Sequence, residues 1–253
     1  MMNLAVLAAV MTVEIMGEGG TCSVERVEAP ERDGVVRFTY PAARVPKGVR
    51  SLAVTPDFAE ARTGEPGYWV FPNNAMGTFR LTNGHARCGH TMMSMYGMKT
   101  PRRSFCAIVE GMRYSFSPEV EAKDGVYRTK AVFHGDMDDV YEDLSIEYRF
   151  LPEGEDDYSG MARCYRAYQL GRGACRPLAE RIRGNPVLAY AATNIEVRVR
   201  QAWKPVPSPV EEQVTRNEPP VRAVITFDRF REIVDESVRQ VVTGAEFCLV
   251  GWN

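Results

Sequence analysis

The feature that most constrains this chain is a change of hydrophobic period near residue 155. Ahead of it, from about residue 20 to 151, apolar and polar residues alternate. Val36, Phe38 and Tyr40 are interleaved with Arg37 and Thr39, and Leu144, Ile146, Tyr148 and Phe150 with Ser145, Glu147 and Arg149. A period of two suits strands with one face on a core and the other in water. The whole stretch therefore reads as antiparallel, folded into one sandwich of two packed sheets. Hairpins are expected at Glu110-Gly111, between FCAIV and MRYSF, and at Asp124-Gly125, between VEA and VYRTKAVF. The segment GEPGYWVFPNNAMGTF (64–79) reads as a long turn anchored to the core by Tyr68, Trp69 and Phe71.

Behind Pro152 the spacing becomes helical. Glu153, Glu155, Asp156 and Asp157 precede a stripe of Tyr158, Met161, Tyr165 and Tyr168. Acidic residues ahead of a helix favour its N-terminal dipole. A second helical piece begins at Pro177. Ile195, Val197 and Val199 then alternate with charged residues until Pro205, Pro207 and Pro209 force an extended loop. AVITF (223–227) reads as a short strand, Asp228 as the cap of an amphipathic helix, and EFCLVGWN (246–253) as a strand buried on both faces. Strand, helix and buried strand make a βαβ unit. The expected organisation is a β-sandwich over 1–152, a helical connector over 153–192 and the truncated start of a parallel α/β domain over 193–253.

The 31 basic and 33 acidic residues leave a net charge of −2, with no electrostatic footprint for nucleic acid or an anionic membrane. Six dispersed cysteines without a CxxC read as buried thiols rather than a disulfide framework. The apolar run LAVLAAVMTV (4–13) is too short to span a bilayer and lacks a basic leader, so it reads as a core element. Neither a signal peptide nor a transmembrane segment is expected, and the compartment is left open.

Several stretches in order, GEPGYWVFPN, YSGMARCYRAYQL, EVRVRQAWKPVPSPVEEQ, NEPP, ITFDRF and CLVGWN, resemble glycoside hydrolases like the endo-α-N-acetylgalactosaminidases and their relatives. The resemblance covers roughly residues 50–253. It implies a β-supersandwich, similar to galactose mutarotase, ahead of a (β/α)8 barrel, and a parent acting on α-linked galactosaminide or galactoside glycans. It also implies that the catalytic carboxylates lie on later barrel strands, beyond Asn253. Retaining hydrolysis needs two carboxyl groups about 5 Å apart. The expectation is thus a non-catalytic N-terminal part, silent as an enzyme and without a cofactor. The alternative is a β-sandwich that binds carbohydrate or docks a partner.

Barrels place their sites at the C-terminal ends of strands. Trp203, Lys204, Trp252 and Asn253 are accordingly the substrate-binding candidates, an indole stacking on a sugar face while an amide or ammonium bonds its hydroxyls. GHARCGH (84–90) supplies His85, Cys88 and His90, ligand types for zinc, but no second cluster completes a four-ligand set and a satisfied loop is the preferred reading. Asp136, Asp138, Asp139, Glu142 and Asp143 read as a solvated acidic turn rather than a calcium loop. A barrel strand with uncovered neighbours also implies self-association.

Overall fold

The computed structural model describes residues 8–72, 75–89, 92–135, 137–138, 140–203, 220–242 and 244–251. It comprises two compact units, Met1–Ala174 and Cys175–Asn253. The first is mainly β. Its strands are β1 (Ala8–Gly17), β2 (Gly20–Arg32), β3 (Val35–Tyr40), β4 (Ser51–Pro56), β5 (Glu60–Arg62), β6 (Tyr68–Phe71) and β7 (Ala75–Gly77). There follow β8 (Gly84–Arg87), β9 (Met95–Lys99), β10 (Ser104–Val109), β11 (Phe116–Lys123), β12 (Val126–His134) and β13 (Leu144–Phe150).

These strands form one large, curled, antiparallel sheet in the order β7-β6-β9-β10-β13-β3-β2-β1-β4-β12-β11-β8, with β5 also beside β12. The long β2 joins its halves. Residues Gly20–Pro30 pair with β1, whereas Glu31 and Arg32 pair with Val36 and Val35 of β3. The halves face each other across a core, as a β-sandwich requires. Thr129 of β12 reaches the sulfur of Met98 on β9, and Phe58 meets Phe105, Tyr148 and Phe150 edge to face.

Alternation places Val36, Phe38 and Tyr40 at 0–1% exposure while Arg37 and Thr39 face out. The N-terminal apolar run enters the core as β1 from Ala8 on, with Ala9, Met11, Val13 and Ile15 buried. Glu147 breaks the pattern: it is buried on β13, and its carboxylate accepts from the guanidinium groups of Arg37 and Arg149. A buried carboxylate survives only when paired in this way.

Two turns behave differently. Lys123 and Val126 pair across Asp124-Gly125, both with positive φ (51° and 78°), the geometry of a two-residue hairpin loop. No hairpin forms at Glu110-Gly111, because β10 pairs with β9 and β13 while β11 pairs with β8 and β12. The chain crosses there from one half of the sheet to the other. The 64–79 stretch is likewise more than a turn, since β6 and β7 pair within it.

Helix α1 (Tyr158–Gly171) starts at Asp157, whose side chain accepts from the Gly160 amide at 2.7 Å. Met161, Cys164, Tyr165 and Tyr168 pack with Met95, Cys106 and Ile108 of β9 and β10. Tyr158, by contrast, is exposed.

The second unit contains α2 (Leu178–Gly184), α3 (Tyr190–Thr193), β14 (Ile195–Arg200), β15 (Ala202–Trp203), β16 (Arg222–Ala223), α4 (Phe227–Arg239) and β17 (Ala245–Val250). Strands β14 and β17 pair in parallel, with α4 between them in sequence and Phe230 against Phe247. The strand preceding the helix in this arrangement is β14. AVITF contributes only Ala223 to a short antiparallel pair, and Thr226, not Asp228, caps α4 by accepting from the Arg229 amide at 3.2 Å. No residue of β17 is buried, so the reading of EFCLVGWN as a strand covered on both faces does not hold for its described part.

Candidate functional site

The face of β1, β4, β12, β11 and β8 turned away from the core carries a set of polar side chains, and strand register sets its shape. One row across the strands runs Glu14, Ala53, Val132, Ser117. The next runs Met16, Ser51, His134, and beside these Glu119 faces Lys130 on one side and Arg87 on the other. Small residues at 51 and 53 make a floor; long charged ones make walls. The result is an open trough of about 650 Å³, continuous through Glu14, Glu121 and Lys130 with a second of about 470 Å³ toward Asp57 and Arg128.

Curvature shelters this face. The side chains of Glu119 and Lys130 are only 13% and 17% exposed. Glu119 is within 3.1 Å of His85 Nε2 and 3.4 Å of Arg87 Nε, and Lys130 Nζ lies 3.2 Å from Glu121. The fully buried Ser117 hydroxyl sits 2.6 Å from His134 Nε2 and accepts from Arg87 at 3.4 Å. Burial, then the nearby Arg87, push the His134 pKa below the ordinary histidine value, against a smaller pull from Glu119. The imidazole is therefore neutral at pH 7 and can both donate and accept. Among the described residues, Glu14 and Arg50 of the trough carry no ion pair.

The residues singled out from sequence fall elsewhere. Trp203 is exposed on β15, opposite Arg222. Lys204, Trp252, Asn253 and His90 lie outside the described residues, as do Asp136 and Asp139. His85 turns to Glu119 in the trough, whereas Cys88 belongs to the core and its thiol donates to the Pro72 carbonyl at 3.4 Å. Among the described residues no group of three metal-ligating side chains converges. Asp138 and Asp143 serve loop geometry, accepting from the Gly48 and Ala42 amides. Next to Trp203, sequence reasoning passed over Gln201, which is buried with its Nε2 unpartnered among the described residues. Arg87 and Ser117 were passed over too, because only strand pairing brings them beside His134.

No protein-family profile and no curated protein matches the sequence. Solved structures do match. The chain is similar to α-N-acetylgalactosaminidase NagBb from Bifidobacterium bifidum in its GalNAc complex, at TM-score 0.64 and 15% identity, over 99% of this chain and 42% of that one. A quadruple mutant of NagBb gives 0.62 at 16% identity over the same shares, and its ligand-free form 0.61 at 17%. The chain has a distant glycoside hydrolase-like fold, and it spans less than half the length of these structures.

Proposed function

We propose that this chain is the sandwich-bearing, non-catalytic N-terminal part of a glycoside hydrolase-like protein acting on α-linked galactosaminide or galactoside glycans. Residues 1–152 form the supersandwich, 153–192 a helical connector, and 193–253 the entry to a (β/α)8 barrel. The observation that carries this reading is the 99% coverage of the chain by a stretch amounting to 42% of NagBb, with a parallel β14–β17 pair joined through α4. The engagement of several carboxylates by cations supports a silent chain: Glu147 is held between Arg37 and Arg149, Glu31 by Arg103, Glu60 by Arg128 and Glu119 by His85 and Arg87. With aryl α-N-acetylgalactosaminide or α-galactoside substrates the expected result is no turnover above buffer. Hydrolysis that disappears on replacing a carboxylate of this chain overturns the reading.

A second reading, a sandwich that binds glycan or docks a partner, is favoured by one observation. The polar trough shelters Glu119 and Lys130, and three of its charged side chains, Glu14, Glu18 and Arg50, carry no ion pair among the described residues.

A further inference from the structure

We propose that the trough over β1, β4, β12 and β11 is a binding site for a neutral mono- or disaccharide, with Glu14 and Arg50 supplying contacts and Glu119 and His134, the latter held by the buried Ser117, forming its preset polar wall. This inference rests on the second reading alone and holds whether or not the parent is a hydrolase.

The charge balance selects the ligand class. Four carboxylates face three Arg or Lys side chains in the lining, a net charge of −1, so the trough disfavours an anion and offers only a weak field to a cation. It does offer acceptors and donors side by side, which is what vicinal hydroxyls need, since each hydroxyl both donates and accepts. The volume of about 650 Å³ falls within the range of small-molecule sites, roughly 300–1,000 Å³.

Partial burial makes those groups effective. Hydrogen bonds to sheltered carboxylates and ammonium groups compete less with water than bonds to fully exposed ones. The buried Ser117 bonds both His134 and Arg87, so these lining groups are ordered before a ligand arrives. The small side chains of Ser51 and Ala53 leave depth where longer ones would fill it. The lining includes no Phe, Tyr or Trp, so affinity rests on hydrogen bonds and is expected to be weak, about millimolar.

The test is titration of the full chain with N-acetylgalactosamine, galactose and the anionic galacturonate, followed by ligand-observed NMR. Either neutral sugar should bind, and Glu14→Gln or Arg50→Gln should each weaken it about tenfold, the loss expected for a hydrogen bond to a charged group. These side chains carry no ion pair among the described residues, so both variants should keep the wild-type circular dichroism spectrum. Trp203→Ala should leave binding unchanged. Absence of binding by both neutral sugars overturns the proposal. So does binding indifferent to Glu14 and Arg50, or tighter binding of galacturonate. Turnover assays decide the hydrolase reading separately, so the failure of one is not the failure of the other.

Discussion

At His134, burial and the Arg87 guanidinium both disfavour the imidazolium, and Glu119 offsets them only in part. The folded pKa thus lies below the unfolded value of about 6.5. Between the two values the unfolded chain binds a proton that the folded chain does not, so stability rises with pH through that window and is lost on acidification. A His134→Gln variant can keep a hydrogen bond to Ser117 without titrating. Its unfolding free energy, from urea titrations between pH 7 and pH 5, should therefore fall less steeply than that of the wild type. Equal slopes would show that His134 charges as readily folded as unfolded. Sequence gives no sign of this residue's role. Val36, Phe38 and Tyr40 announce their burial by local alternation. The Ser117–His134 contact exists only because β11 pairs with β12, and the trough also needs β4 beside β12. Those pairings are non-local, and ordinary residues report nothing about them. The buried Glu147 escapes a period-two reading for a related reason: its partners Arg37 and Arg149 sit on an adjacent strand and two residues along.

Helix α1 shows what elements add. Its stripe is legible in the spacing of Met161, Tyr165 and Tyr168, and its start in the acidic residues ahead of it, but its seat is not. The seat depends on Gly97 of β9. A Cβ there would lie 2.5 Å from the Met161 sulfur and 2.8 Å from the Phe105 carbonyl oxygen, closer than real contacts allow. Gly97→Ala should therefore push the helix off its sheet, at a cost of about 1–3 kcal/mol, the usual penalty for overpacking. Cys164 provides a reporter. Its half-buried thiol is hydrogen-bonded to Cys106, which draws its pKa below the ordinary thiol value, with Arg149 adding to the effect. Cys106 is buried, and its own pKa is raised by the same hydrogen bond and by burial. Thiol labelling of Cys164 should accelerate in Gly97→Ala relative to wild type, read by mass spectrometry of its peptide, while Gly184→Ala, with open space around it and no positive φ, serves as the control. Unchanged labelling together with unchanged stability would mean that Met161 simply moves aside. The Asp124-Gly125 hairpin was readable because its whole signal is local. Glu110-Gly111 carries a similar local signal, yet it joins strands that take partners on different halves of the sheet. AVITF misleads because a short, mostly apolar run suits a strand, a loop edge and a helix start equally well.

For the molecule as a whole, the decisive contrast is how much apolar surface each unit buries. The first holds a continuous core that includes Tyr40, Tyr96, Tyr148, Phe38, Phe105 and Phe133, all under 2% exposed. Tyr96 and Tyr148 share a hydroxyl contact at 3.1 Å inside it. In the second unit, Val199 is the buried hydrophobic residue among those described, while Phe227, Val238, Val241 and Ile195 are exposed. A two-stranded parallel sheet with one amphipathic helix is below the size at which a core stabilises itself. Backbone protection should follow the same division. Amides of β14 and β17 should exchange at least about tenfold faster than those of β10 and β13, because local opening costs least where few side chains are buried. Limited proteolysis should accordingly degrade 175–253 first and leave a resistant fragment ending near residue 174. The exposed apolar residues also carry a second expectation: self-association. An incompletely covered apolar sheet edge is a template for association. Light scattering on the intact chain should then show a mass that rises with concentration, and the proteolytic fragment should lose that dependence. A strictly monomeric chain whose β14 and β17 amides are as protected as those of β10 would refute this account. The second unit would then have to be stabilised by something other than the core it shows, and reading it as the entry to a barrel would fall with it.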